Sequence, residues 1–529
     1  MLLATGLTSR LPAQAAPPII DTIVVVNHNI FDENDLPALP HVARLANALH
    51  VRTHASVIRR TIFLNQGDPY DSARAVESER ALRGLNVFRQ VRVDTVHLRD
   101  RLALRVQTED GWSTKPQLNY SSSGGSVTWQ GGIQEENVLG TATSLTALYT
   151  KTPDRSWGQL IYLNPHFIGR RPRLGLIYQP LSDGDHWGWS LGVPFYQTAT
   201  KRQIGTSGEA STYRVLIFKD YRQGDPAFAT TERHVLRFAL NAGIALRATS
   251  RSYFRLWAAS VWRREDFAPV DSVPPRSTFG TVGAGIEVAR TRFHVLERFN
   301  TYARREDVNL SEYLRIGLWA APRAWGYPAG QAGIGPDVSA QVSVLWPGGF
   351  IVLNGVGHAV YAGTTLDSAR VRGGVTVASQ NFTHQTAIAH LEGGALRGAM
   401  PNGFFDTWQD QTGPRLYPAH AFTGTRTIWF TFEDRIVLSD QAFGLVGIGV
   451  APFFDWGGAW YGDEPAWPGK VGALREPMRT GSNAGISLRL GPTRAVRGEV
   501  SEFAVGYRFG APAGAPRGWA LSIRRGNSF

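Results

Sequence analysis

Beyond about Gly111 the chain shows no helical period. It becomes a long succession of short alternating segments punctuated by Gly, Pro, Asp and Asn. In Thr281 to Val288, the residues Val282, Ala284, Ile286 and Val288 share one face, opposite Thr281, Gly283, Gly285 and Glu287. In Thr427 to Glu433, Ile428, Phe430 and Phe432 oppose Thr427, Trp429, Thr431 and Glu433. In Leu445 to Gly457, the set Val446, Ile448, Val450, Phe454 and Trp456 opposes Gly447, Gly449, Ala451, Phe453, Asp455 and Gly457. An apolar face opposite a small or polar one is what a membrane barrel requires, with lipid outside and a polar lumen inside. A soluble sandwich alternates too. Two features favour the membrane: aromatic residues gather toward strand ends, as at Trp187, Trp189, Trp456 and Trp460, and the polar connections differ widely in length. Closure also removes the strand edges that so many strands would otherwise expose.

Residues 113–529 number 417. At roughly 26 residues per spanning strand with its connection, that length predicts about sixteen strands, give or take about two. No run of 18 or more uninterrupted apolar residues occurs; the nearest approach, Phe443 to Trp460, contains Pro452, Asp455 and several glycines, so helical spans are excluded. Composition agrees with a strand-rich chain, with 57 Gly, 16 Trp, 16 Tyr and 26 Phe against 3 Met. Cysteine is absent, which removes disulfides, thiolate metal sites and a cysteine nucleophile. The net charge of +12 is scattered rather than gathered into a stripe, which argues against nucleic acid and for charges on loops and in a polar lumen, with anionic head groups as a secondary contact.

The first eighteen residues resemble a weak or truncated secretion signal, with Ala13-Gln14-Ala15 spaced like a cleavage site but no basic region before it. Residues 19–112 read as a mixed α/β module of order β-α-α-β-β. Ile19 to Val26 suits a strand, Thr53 is placed to cap a helix carrying Val57, Ile58 and Ile62, and Asp71 or Ser72 a second helix ending at Gly84. Val87 to Val96 and the stretch around Leu102, Leu104 and Val106 supply two more strands, while Phe31 to Ala48 is an insertion. Gly67 with Asp68 makes the turn between the helices, and Ala75, Leu82 and Leu85 form a sparse apolar stripe for the sheet.

The stretch His50 to Val93, with Thr53, Arg59, Arg60, Gly67, Asp68, Tyr70, Glu77, Glu79, Arg80 and Arg83 in place, resembles a polypeptide-transport-associated (POTRA) domain. Gly132 to Gly140 and Leu160 to Gly169 are similar to the first hairpins of the barrels that follow such domains. Together they make nearly the whole chain resemble the outer-membrane assembly and translocation superfamily typified by BamA, the bacterial surface antigens, whose members join POTRA domains to a sixteen-stranded barrel. The resemblance also implies two lumen motifs. One, F-x-D-x-G, occurs as Phe453-Phe454-Asp455-Trp456-Gly457, and the alternation independently turns Phe453, Asp455 and Gly457 inward. The other, an Arg-Gly in the sixth extracellular loop, is matched by Arg397-Gly398, with Ala399 where the family more often has an aromatic residue. Val496-Arg497-Gly498 follows the aspartate strand and is set aside as a decoy.

An arginine reaching from a loop into a lumen needs an anion, because an unpaired charge held from bulk water costs several kcal/mol. The expectation is that Arg397 pairs with Asp455, with Glu433 as second acceptor, and pins the loop inside the barrel; the alternative is that both are ordinary wetted lumen residues. Glu77, Glu79, Arg80 and Arg83 read most simply as a solvated helix face, with partner contact by Arg59, Arg60, Glu79, Arg80 and Arg83 as the functional alternative. Terminal Phe529 matches a recognition feature of outer-membrane barrels, although Arg525 and Asn527 break the apolar parity before it.

No H-E-x-x-H, G-x-S-x-G or phosphate-loop pattern appears, and the 13 His lack ligand spacing, so neither catalysis, metal nor cofactor is expected. The resemblance implies a bacterial outer-membrane location with the N-terminal domain in the periplasm. Lipid and lipopolysaccharide would surround the barrel, and unfolded or secreted client polypeptides would meet the POTRA domain by β-augmentation. The implied role is assisting proteins into or across that membrane. A secretion pore dedicated to one partner and a passive porin or uptake channel remain as alternatives.

Overall fold

A computed structural model describes residues 17–31, 40–123, 126–218, 226–267, 277–302, 305–327, 330–398, 403–462, 477–493, 500–510 and 517–525. Phe529 and the 496–498 tripeptide lie outside these residues.

The N-terminal residues build a small α/β domain in which a three-stranded sheet, with the third strand in chain order at its centre, carries its helices on one face. Strand β1 (Thr22–His28) runs parallel to β3 (Arg101–Asp110), and β2 (Phe88–Leu98) pairs antiparallel with β3, which leaves β2 at an edge. Its core gathers Ile58, Ile62, Leu64, Leu82, Phe88 and Leu104, all buried. Among the described residues, three helices rather than two lie between β1 and β2. The additional one, α1 (Pro40–Leu49), occupies the expected insertion, and α2 (Ala55–Thr61) and α3 (Ser72–Arg83) follow. Asp71 caps α3 by accepting from the Ala73 and Arg74 amides. Thr53 does not cap α2. The N-cap is His54, without a side-chain bond, and the Thr53 hydroxyl instead accepts from Asn137 of the barrel at 3.0 Å.

Among the described residues about twenty of the remaining strands form one closed antiparallel barrel, in which the last strand, Gly518–Arg525, neighbours the first, Thr114–Ser123. The expected sixteen is therefore too low. Spreading 417 residues over twenty strands leaves about 21 each, because many connections at one end are only two to five residues, as at 139–142, 347–348 and 443–445. Alternation sets the two faces. Leu314, Ile316 and Leu318 point outward, as do Leu236, Phe238 and Leu240, while Thr431, Glu433, Asp455, Asn483 and Ser487 are buried inside. On the outer face toward the long-loop end, Trp129 packs on Tyr149, Tyr178 on Trp187 and Tyr507 on Trp519, the girdle expected where a barrel meets a head-group layer.

The α/β domain lies across the short-turn mouth. The His54 amide donates to Gly140 O at 2.9 Å, in a turn where Gly140 sits at φ +72° and a Cβ would come within 2.5 Å of Arg52 O. The Thr61 hydroxyl meets His166 at 3.1 Å, the Thr198 amide donates to Glu77 at 2.5 Å, and Phe31 packs near Leu445. These turns lie on well-separated parts of the rim, so the domain spans the opening.

Two further segments fold inward. Residues 403–425 enter from the long-loop end. From the domain end comes a short hairpin, Phe293–Glu297 paired with Arg305–Asn309, inserted between barrel strands Ser277–Arg290 and Glu312–Ala321. Its tip places Tyr302 against Gly447, Gly449 and Gly491, where any Cβ would come within 2.1–2.7 Å of the ring or hydroxyl. The small inward residues of those strands thus have a steric purpose.

Ile316 sits mid-strand on the outward face. Ile316→Arg is expected to destabilise the folded barrel by about 2–4 kcal/mol, the cost of a cation near the bilayer midplane, read from urea unfolding in lipid vesicles.

Candidate functional site: a charged lock in the lumen

Strand pairing aligns the inward residues of neighbouring strands. Thr431 stands opposite Asp455, and Asp455 opposite Asn483, so the strands Arg426–Ala442, Val446–Trp460 and Gly481–Pro492 build one polar wall. Glu433 is two residues below Thr431 on the same face, and Glu502 reaches the same place from the strand Ser501–Gly510. Three carboxylates therefore crowd one patch of the lumen, and mutual repulsion demands cations there.

The cation at the centre is Arg415, from the inward-folded 403–425 segment, with its side chain 1% exposed. Its Nε donates to Asp455 Oδ2 at 2.8 Å and its Nη2 to Asp455 Oδ1 at 2.8 Å, a bidentate fork. Its Nη1 lies 2.7 Å from Glu433 Oε1 and 2.6 Å from Glu502 Oε1. Thr431 completes the ring, accepting from Arg415 at 3.1 Å and donating to Asp455 at 2.8 Å. The guanidinium also stacks 4.0 Å above the Phe453 ring. At Gly457, φ is +150° and a Cβ would come within 2.3 Å of Ile428 O, so the glycine lets strand Arg426–Ala442 close on its neighbour. The F-x-D-x-G residues thus supply a ring, an anion and a close strand contact.

The sequence-predicted cation, Arg397, does not take part. It ends strand Gln385–Arg397 and is exposed at the rim, and Gly398 turns the chain away at φ +61°. His390 is the residue level with Thr431, and hence with Asp455. Seven residues separate Arg397 from that level, about 23 Å of strand and beyond the reach of a side chain. Sequence reasoning therefore placed the anion wall but missed the cation. The usable signal was that Arg415 stands well inside the same long connection, far enough along it to return into the lumen.

A second anchor holds the same segment. His420 Nδ1 lies 2.7 Å from Asp406, within the segment, and Nε2 lies 2.9 Å from Asp154, in the turn between strands Thr143–Lys151 and Ser156–Asn164. The imidazole stacks on Phe218 at 3.8 Å. Burial alone would lower its pKa, but the hydrogen bonds to Asp154 and Asp406 and the charges of both carboxylates outweigh it and push the pKa up to about 9. Beside the lock a lumen cavity of about 660 Å³ remains, lined by Asn119, Thr150, Trp408, Gln409 and Arg524 among others.

The charged residues of α3 are not a solvated face. Glu77 is buried, Arg80 stacks 4.0 Å from the Phe293 ring, and Arg83 holds Asp307 of the inward hairpin. Glu79 accepts from the Val93 amide at 2.8 Å and lies 3.3 Å from Arg83. Arg59 and Arg60 are exposed.

No family model and no curated protein sequence matches the chain. Solved structures similar to it include BamA from Haemophilus ducreyi lacking POTRA domains 1-3, at 12% identity over 95% of this chain and 84% of that one, with a TM-score of 0.40. CdiB from Escherichia coli is 10% identical over 98% and 92%, TM-score 0.43, and CdiB from Acinetobacter baumannii 11% identical over 96% and 74%, TM-score 0.40. Likenesses at this level say nothing about activity, and the barrel rests on its own strand pairing.

Two outcomes follow from the lock. Arg415→Ala takes the guanidinium fork from buried Asp455 and one cation from Glu433 and Glu502, and is expected to destabilise the protein by about 3–5 kcal/mol, whereas Arg397→Ala stays within about 0.5 kcal/mol, both read from unfolding midpoints. The His420 pKa is raised from 6.5, so its anchoring is complete below about 6.5 and is lost as pH rises through about 9. Bilayer conductance should step upward across that window in the parent protein, and His420→Gln should remove the step.

Proposed function

We propose that the chain is a bacterial outer-membrane barrel of the BamA-like type that assists polypeptides into or across that membrane, with the α/β domain serving as a periplasmic POTRA module. The observation that carries this reading is a lumen closed from both ends: a loop bound by a buried ionic lock at one side, and a folded domain laid across the mouth at the other. A passive porin needs neither. The long connections 398–425 and 461–480 lie at the end opposite the domain, as the extracellular loops of such barrels do, while most connections at the domain end have eight residues or fewer. The order of helices and strands in the domain, with β2 left at an edge, suits a module that receives an extended client by strand addition. Exposed Arg59 and Arg60 are the partner contacts this reading favours, since Arg80 and Arg83 are engaged with the barrel. No step of this role calls for catalysis or a cofactor.

Depleting the protein and quantifying the outer-membrane and secreted proteomes tests the proposal. Reduced levels of several outer-membrane proteins are expected; loss of one secreted species alone would reassign the chain to dedicated secretion, and an unchanged proteome would overturn the transport role.

A further inference from the structure

The inward hairpin touches both the α/β domain and the lock. At its outer end, Asp307 receives a bidentate fork from Arg83 of α3, at 2.7 and 2.8 Å, and Phe293 lies under the Arg80 guanidinium. Within it, Glu306 accepts from the Asn300 and Thr301 amides and the Thr301 hydroxyl, all at 2.9 Å, which ties the tip to the strand that carries Asp307. At the inner end, Arg435 donates to Phe299 O at 2.8 Å and to Asn300 Oδ1 at 3.1 Å, while Tyr302 donates to Arg489 O at 3.2 Å. Arg435 also holds Glu433 at 2.9 Å, and Glu433 is one of the three carboxylates on Arg415.

A second link runs to the edge of the sheet. The Val93 amide, on edge strand β2, donates to Glu79, and the same carboxylate pairs with Arg83. An incoming strand on that edge competes with Glu79 for the amide. A displaced Glu79 changes the charge balance on the arginine that grips Asp307.

We propose that the Phe293–Glu297/Arg305–Asn309 hairpin is a strut coupling the β2 edge of the α/β domain to the lumen lock, through Glu79, Arg83, Asp307, the hairpin tip, Arg435 and Glu433 to Arg415. A client strand bound at β2 loosens the strut, and the strut loosens the loop at the far mouth. Each joint is a charged or hydrogen-bonded contact with an alternative partner or water available, so the arrangement has discrete engaged and released states. The inference rests on the reading of the barrel as a gated conduit.

The test uses the full-length protein in lipid, with a single cysteine introduced by Gln409→Cys on the exposed part of the loop, the chain having no cysteine of its own. Thiol-labelling rate at that position and bilayer conductance are measured for Asp307→Ala, Arg83→Ala, and the exchange Arg83→Asp with Asp307→Arg. Heat-modifiable gel mobility confirms that each variant forms the barrel. Both single variants are expected to raise labelling and conductance by roughly 5-fold or more, the lower end of ordinary coupling between sites, and the exchange to restore parent behaviour. If the single variants behave as the parent while Arg415→Ala opens the channel, the strut is wrong and the lock stands. If Arg415→Ala changes neither readout, the gated-conduit reading itself falls.

Discussion

A guanidinium removed from bulk water must find anions, and the position of Arg415 follows from that requirement. Three carboxylates on one wall of the barrel cannot stay ionised together in a confined lumen without a cation among them, and a cation cannot enter that space without them. The fork on Asp455 fixes orientation as well as distance, so the segment that carries Arg415 enters at one depth and one angle. The inner wall of the barrel thereby shapes a connection whose own regular structure, among the described residues, is the two-residue pairing of Phe405–Asp406 with Thr423–Gly424.

The barrel was legible because side chains on a strand alternate with a period of two. Val282, Ala284 and Ile286, or Phe430 and Phe432, declare an outward face in a handful of residues, and the same parity turns Glu433 and Asp455 inward. Strand number was not, since it depends on connection length, and connections such as 347–348 or 443–445 are shorter than the allowance that gave sixteen. The cation was hidden for a related reason. Arg397-Gly398 has the right spelling, but its strand ends at the rim, and only register reveals that Asp455 lies level with His390.

The inward hairpin left no sequence signal of its own, since Phe293–Glu297 and Arg305–Asn309 are short and charged and read as connection. What the sequence did show was its receptor, the run of glycines on the inward face of neighbouring strands. Gly447 and Gly449 look like generic lumen residues until Tyr302 is seen to fill the space that their missing side chains leave. In the α/β domain, likewise, Thr53 and the charges of α3 look like a cap and a wetted surface when the domain is considered alone. Their partners, Asn137, Thr198 and Asp307, lie far along the chain in the barrel, its turns and the inward hairpin, and no local pattern could have named them.

A closed lumen could have been filled with packed apolar side chains, and that plug would have been the more stable choice, since replacing a buried ion network by well-packed hydrophobic residues is often neutral or stabilising. Charges have a different virtue in a conduit. An apolar plug that withdraws exposes greasy surface to water, whereas a withdrawn arginine and three carboxylates are rehydrated as they part, which offsets the Coulomb energy lost. The free-energy gap between closed and open is thereby kept small, while the geometry of the closed state stays specific. That combination, a unique closed form with an inexpensive exit, is what a barrel needs if it is to remain sealed at rest and still yield to a polypeptide.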